Sequence, residues 1–316
     1  MSPNDQPSAS PVKVLYVLGR GRSGSTIFAN VIGEHEGFFS AGEIRYLWDP
    51  VARNDAACAC GLPMSSCPVW SKVLVRLKDV PLDDAGRWQR EVVTERNLRK
   101  LLRYKHDGSW PSLENFTAVM ARVYAALAEV TGASVIVDLS KRPSYAAVVR
   151  LLEGCALYCA QMTRDPRASA YSWGHSRHGS VFGEDKEVPR RNALDATVRW
   201  DVLTMEAEMV LRRLPEARKM RLRYEDFVAA PRATADRVTA LVGEGGASSP
   251  FVDERTLNLG PNHTIAGNPS RFSSGELVIQ DRGEWRTSQS KMERRIATLV
   301  ALPYLRRYGY PLRTGD

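Results

Sequence analysis

An uninterrupted apolar run, Val14-Leu15-Tyr16-Val17-Leu18, stands close to the start of the chain and reads as a buried strand over Val12 to Leu18. The glycine-rich stretch GRGRSGST, Gly19 to Thr26, follows it. After that, Ile27-Phe28-Ala29-Asn30-Val31-Ile32 places a helix over Ser25 to Gly33. Further on, Leu113, Phe116, Met120, Val123, Leu127 and Val130 recur at three- and four-residue steps, which gives one apolar helical face ended by Gly132. Ala133 to Val137 and Ala156 to Met162 read as two more buried strands. Leu194, Val198, Val202, Met205, Met209 and Leu214 mark a long amphipathic helix stopped by Pro215, with strand-like Lys219 to Tyr224 behind it. Strand and helix alternate, so the expected fold class is α/β: a P-loop-like, doubly wound, mostly parallel sheet flanked by helices.

Two regions break the alternation. Leu77 to Lys105 is charged and helix-compatible, carries Trp88, and is placed as a cap on the sheet. Gly174 to Asn192 is polar, with Gly, Pro and both charge signs, and reads equally as a substrate lid or a solvated insertion. It holds His175 and His178. No repeat or clear linker divides the chain, so one domain over residues 12–316 is expected after a disordered tail at residues 1–11.

Charge narrows the partners. A net +8 over 316 residues points to something anionic, but the Lys and Arg residues are dispersed and no RNA-binding aromatic signature accompanies them, so nucleic acid is not expected. No apolar stretch approaches the roughly 20 residues that span a bilayer, and the start lacks the basic and apolar regions of a signal peptide. The expectation is a cytoplasmic protein without stable membrane insertion.

Cys58, Cys60 and Cys67, in CACGLPMSSC, invite a zinc reading. The C-x-C spacing differs from the usual C-x₂-C knuckle, and no fourth Cys or His follows nearby. The expectation is therefore no metal, and a Gly/Pro-rich loop with reduced thiols or one local disulfide. Cys155 and Cys159 flank an apolar segment and read as packing residues.

A strand that ends in GRGRSGST and leads into a helix aims backbone N–H groups, hydroxyls and two guanidinium groups at one point, which makes an anion site. Nucleotide kinases and hydrolases of the P-loop type need Lys where Ser25 stands. A second segment, MTRDPRASAYSW, sets Arg164 and Ser172 eight positions apart, a guanidinium and a hydroxyl suited to a phosphomonoester. Without a ligand, Asp165 as N-cap and Pro166 as first helical residue account for the same letters.

These two segments resemble the sulfotransferase superfamily, in its bacterial, actinobacterial-like form, whose members move a sulfuryl group from 3′-phosphoadenosine 5′-phosphosulfate (PAPS). The resemblance extends from about Val12 to Leu312 and implies the sulfotransferase fold. It implies that Arg20, Gly21, Arg22, Ser23, Gly24, Ser25 and Thr26 hold the 5′-phosphosulfate, and that Arg164 and Ser172 hold the 3′-phosphate. LRYEDF would place Tyr224 near adenine. GNPSRF followed by DRGEWR resembles the late segment that closes over the cofactor, and gives Arg271 an assisting role at the 3′-phosphate, although the Arg-Lys-Gly triplet of cytosolic members is missing.

For the base, VIVDLSKRPSY places Lys141 where cytosolic members carry His. SAGEIRYLW offers Glu43, in the position from which carbohydrate-acting and bacterial relatives draw a Glu. The implied catalytic set is Glu43 as base with Lys141 and Arg22, while His35 and the two histidines of Gly174 to Asn192 are other candidates. The resemblance requires PAPS, releases adenosine 3′,5′-bisphosphate, needs no metal, and takes the hydroxyl or phenol of a small-molecule, glycan or lipid-like acceptor. The competing readings are a degenerate P-loop nucleotide kinase with Asp138 as metal-site carboxylate, and a non-catalytic anion or nucleic-acid binding module.

Overall fold

Five parallel strands form the central sheet of the computed structural model, which describes residues 10–175, 190–281 and 283–313 and the backbone of 178–179 and 186–187. They are β1 (Val12–Gly19), β2 (Phe38–Gly42), β3 (Val135–Lys141), β4 (Cys155–Thr163) and β5 (Lys219–Arg223), in the order β2-β3-β1-β4-β5. Val14 to Leu18 are fully buried because helices cover both faces, which is why β1 is apolar throughout rather than alternating. The helices that matter for the site are α1 (Ser25–Gly33), α2 (Pro111–Thr131), α3 (Pro143–Val149), α4 (Pro166–His175) and α5 (Ala193–Leu211). One core joins Tyr16 and Leu18 to Phe116, Met120, Tyr124 and Tyr145; the other joins Leu15 and Val17 to Phe28, Ile32, Phe227 and Val238. The expected doubly wound α/β architecture is what the chain adopts.

Chain order sets where a ligand can bind. From β1 the chain runs out to β2, returns to fill the gap with β3, and then crosses to the far side of β1 to make β4. The crossover direction reverses beside β1, and at such a switch point the loops after neighbouring strands diverge and leave a crevice at the strand C-termini. The GRGRSGST loop lies there.

Local signals held well at several ends. Helix α1 occupies Ser25–Gly33 as read, and α2 closes at Gly132, whose φ of 68° is the left-handed conformation that glycine adopts without strain. Helix α4 begins at Pro166, and Asp165 Oδ1 accepts from the Arg167 amide at 2.9 Å, so the cap reading of Arg-Asp-Pro is correct as local structure.

Three expectations change. Strand β3 runs on through Asp138, Ser140 and Lys141, all buried: Ser140 and Lys141 line the crevice, and Asp138 lies beneath it on the hydroxyls of Ser140 and Tyr124. The Leu77 to Lys105 region does not cap the sheet: helices Leu82–Val92 and Leu98–Leu101 lie one layer out, on α2 and α3. Helix α5 turns the other way from its apolar stripe. Leu194, Val198, Val202 and Met205 are 44% to 52% exposed, while Ala193, Ala196, Thr197, Trp200 and Ala207 are buried. Small residues allow the close approach to α4, so the buried face was the less hydrophobic one.

Most of the Gly174 to Asn192 region, with the side chain of His178, and residues 1–9 of the expected tail lie outside the described residues. Among the described residues no helix is long and apolar enough to cross a membrane.

Candidate active site

The backbone of the loop after β1 is shaped for close approach. A Cβ on Gly19 would stand 2.4 Å from the Met162 carbonyl oxygen of β4, and one on Gly24 would stand 2.3 Å from the Tyr224 ring. Gly24 also has φ 78°, so both space and conformation require glycine. Arg22 takes φ 73°, a strained value for a side chain with a Cβ and of the kind that concentrates at ligand sites. Ser23, Ser25 and Thr26 are buried. The Ser23 hydroxyl and the Arg20 Nε have no hydrogen-bond partner among the described residues.

Positive charge is concentrated over this loop. The guanidinium groups of Arg20, Arg22 and Arg191 lie 5.0, 5.9 and 5.5 Å from the centroid of the Trp173 ring, and the Trp173 indole N–H donates to the Gly21 carbonyl at 3.2 Å. Burial, then Arg191 and Arg199, lower the Arg20 pKa to about 10. Asp195, an acid that acts on Arg20, is already shared between Arg191 and Arg199, each at 2.7 Å. Desolvated cations crowded together favour an anion between them. Arg164 sits on the other side of the loop, donating to the Arg22 carbonyl at 3.2 Å with its guanidinium 4.6 Å from the Tyr224 ring centroid. Arg22, Gly24, Arg164 and Tyr224, four residues drawn from three segments of sequence, therefore meet. Ser172 is half-buried on α4.

Across the cleft, Glu43 and Lys141 meet at the ends of β2 and β3. Lys141 Nζ donates to Glu43 Oε1 at 2.6 Å, and the Arg45 guanidinium donates to Oε2 at 3.1 Å. Burial pushes the Glu43 pKa up, but Lys141 and Arg45 outweigh it and hold the carboxyl below its ordinary value. Lys141 takes φ 66°, a turn pinned by Asp138, which accepts from the Ser140 amide at 2.7 Å and from the Ser140 and Tyr124 hydroxyls at 2.5 Å each. Loop, pair and helix face line one cleft of about 540 Å³, into which Val198, Val202 and Leu203 of α5 project beside Tyr46 and Asn268.

Two of the solved structures that this chain resembles match it over most of its length. The sulfotransferase domain from the curacin biosynthetic pathway is 17% identical over 93% of this chain and 99% of that one, with a TM-score of 0.50. The sulfotransferase domain from the Synechococcus PCC 7002 olefin synthase is 18% identical over 94% and 96%, also with a TM-score of 0.50. The chain has the sulfotransferase fold. No family model and no curated protein matches the sequence.

Within this sulfotransferase fold, several sequence expectations need new placements. Arg271 is fully buried and donates to the carbonyls of Thr264 and Ala57 at 3.0 and 3.2 Å, away from the Arg164 and Tyr224 contacts, because the segment carrying it folds against the cysteine loop. His35 is neither on the surface nor in the cleft: it is 3% exposed, lies against Phe38, points Nδ1 at the Val31 carbonyl, and burial lowers its pKa. His175 is exposed at the end of α4, with Nδ1 toward the Tyr171 carbonyl. Asp138 is sealed beneath the cleft and does not face the loop, as a metal-site carboxylate must.

Four contributors escaped the sequence reading. Trp173 follows Ser172 in the quoted motif and could have been found there. Arg45 likewise follows Glu43 within SAGEIRYLW, whereas Arg191 and Arg199 carry no local pattern and are identified only by folding.

Burial raises the Asp138 pKa from 3.8 to about 6 against its hydrogen bonds from Ser140 and Tyr124. The unfolded chain gives up this proton first, so the contribution of Asp138 to stability falls as pH rises from about 4 to about 6. Denaturant unfolding of wild type and Asp138→Asn across that window is expected to show the wild-type advantage shrinking with pH; a constant difference would refute the assignment.

Proposed function

We propose that this chain is a PAPS-dependent sulfotransferase that moves a sulfuryl group to the hydroxyl or phenol of an acceptor whose body is largely apolar. One observation carries the reading: an anion cradle built from Arg20 and Arg22, with Arg164 behind it on the Arg22 carbonyl, faces across a single cleft a buried carboxylate paired with a lysine. The two similar structures, each a sulfotransferase domain of a biosynthetic system, support it.

The donor supplies an activated sulfuryl group on a 5′-phosphate. The loop residues Arg20 to Thr26 hold that end through backbone N–H groups, hydroxyls and guanidinium groups. Arg164 with Ser172 takes the 3′-phosphate, and Tyr224 offers its ring to the base. Glu43 accepts the acceptor proton. In the structure Lys141 neutralises Glu43, and an anion arriving at the cleft floor competes for that ammonium. As Lys141 turns toward the anion, the carboxylate loses one of the two cations that depress its pKa and becomes a stronger base. Lys141 then stabilises charge on the leaving oxygens.

The outward stripe of α5 selects the acceptor. Val198, Val202 and Leu203 give the cleft an apolar wall, which suits an acceptor that brings apolar surface to cover them. Incubation with PAPS and a panel of phenols, lipid alcohols and sugars, read by the acceptor's gain of one sulfuryl group, is expected to give product with the phenols or lipid alcohols. Absence of transfer to every member, with no binding of adenosine 3′,5′-bisphosphate, would sink the proposal.

A further inference from the structure

Cys58, Cys60 and Cys67 do have a fourth companion, 196 residues further along the chain. The ligand atoms of these three cysteines and of His263 all lie within 4.8 Å of one another. Cys67 Sγ is 3.5 Å from Cys58 Sγ and 3.3 Å from His263 Nδ1. A tetrahedral zinc ion with ordinary bond lengths sets sulfur–sulfur edges of about 3.8 Å and sulfur–nitrogen edges of about 3.6 Å. The cluster is therefore close to the size of one tetrahedral ion, while its sulfurs are too far apart for a disulfide, whose bond is about 2.05 Å. All five cysteines of the chain are free thiols.

The surrounding structure organises these donors. Cys58 and Cys60 sit on a small hairpin closed by the Cys58 amide on the Leu62 carbonyl at 2.8 Å and the Gly61 amide on the Cys58 carbonyl at 2.9 Å. His263 is brought in by the Trp70 indole, which donates to its carbonyl at 2.6 Å, and by the Ala59 amide on the Thr264 carbonyl at 3.1 Å.

Arg271 supplies an independent observation. It is fully buried, with no carboxylate in ion-pair range among the described residues, and its guanidinium donates to the carbonyls next to Cys58 and next to His263. Glu43 acts on it only from beyond ion-pair distance, and a buried cation without a close counter-charge is costly. Three thiolates and a neutral imidazole around a divalent ion carry one net negative charge, which supplies the missing partner.

The geometry points to a structural zinc site, Cys58-Cys60-Cys67-His263, that staples the cysteine loop to the segment carrying Gly267 and Asn268 of the cleft. Three sulfurs and one nitrogen suit zinc, and four protein ligands leave no open position for catalysis. This inference does not rest on the proposed transfer activity, since metal content is read without donor or acceptor.

Wild-type chain purified without chelator is expected to contain about one zinc per molecule by plasma mass spectrometry. Cobalt added after zinc removal is expected to give the absorption of a tetrahedral thiolate site. His263→Ala is expected to weaken zinc binding at least tenfold, and His263→Cys to restore it. Should His263→Ala fail to fold, the wild-type cobalt spectrum decides. Wild-type protein with negligible zinc and no tetrahedral cobalt spectrum, or with a Cys58–Cys67 disulfide in its non-reduced peptide map, would overturn the assignment.

Discussion

Glu43→Gln is expected to slow sulfuryl transfer by about 10²–10⁴-fold while leaving affinity for adenosine 3′,5′-bisphosphate within about threefold, because it removes a base and no donor contact. The substitution also leaves Lys141 and Arg45 facing a neutral amide in a buried place, so some stability is lost with the rate. The pH profile separates the two effects. Lys141 and Arg45 hold the Glu43 pKa below its ordinary value against burial, so the acid limb of kcat/KM, which reports the unliganded enzyme, belongs below the usual carboxylate range. Stability from this pair has the matching sign: present above the unfolded carboxylate pKa and lost as pH falls through the lower folded value. If Lys141 leaves Glu43 when an anion binds, the limb in kcat must lie at higher pH than the limb in kcat/KM. Lys141→Met is expected to bring the two limbs together. A Glu43→Gln enzyme that keeps its kcat within threefold would remove Glu43 from the chemistry.

The second large effect concerns affinity. Arg164→Ala and Arg22→Gly are each expected to weaken adenosine 3′,5′-bisphosphate by roughly 10- to 150-fold, the equivalent of about 1.5–3 kcal/mol for a hydrogen bond to a charged group. Glycine is the informative choice at position 22. Its backbone accepts the φ of 73° found there without strain, so the variant loses affinity with a thermal midpoint no lower than wild type. Titration calorimetry paired with thermal unfolding measures both quantities. Affinity within threefold of wild type in both variants would refute the cradle.

What the sequence disclosed and what it hid follow one physical line. Elements fixed by neighbours in the chain were legible: β1 by its unbroken apolar run, α1 by the glycine loop before it, the end of α2 by Gly132, and the start of α4 by Asp165 and Pro166. The convergence of the loop with Arg164 and Tyr224 was legible through the resemblance, which carries information on contacts between distant segments that periodicity lacks. Helix α5 misled because an apolar stripe shows that a helix has two faces without showing which one finds a protein partner; Ala196 and Ala207 went inward and Val198 and Val202 to the cleft. His263 could not be assigned to the cysteines from spacing, since nothing local connects residues so far apart. Arg271 was assigned to a phosphate because its motif pointed there, whereas its fully buried guanidinium serves the carbonyls beside Cys58 and His263.

The glycine loop at the start of the chain is held by the last third of it. Asn268 Nδ2 donates to the Thr26 hydroxyl at 3.3 Å, Asn30 Nδ2 donates to the Ser270 carbonyl at 3.2 Å, and the Tyr224 ring fills the space that Gly24 leaves. On the ribosome the first strand and its loop emerge early, but their ties wait for residues near 270 to be made. A nascent chain thus carries the glycine loop before the residues that tie it down have emerged, and binding of adenosine 3′,5′-bisphosphate to the proposed cradle is expected to report completion of this part of the fold.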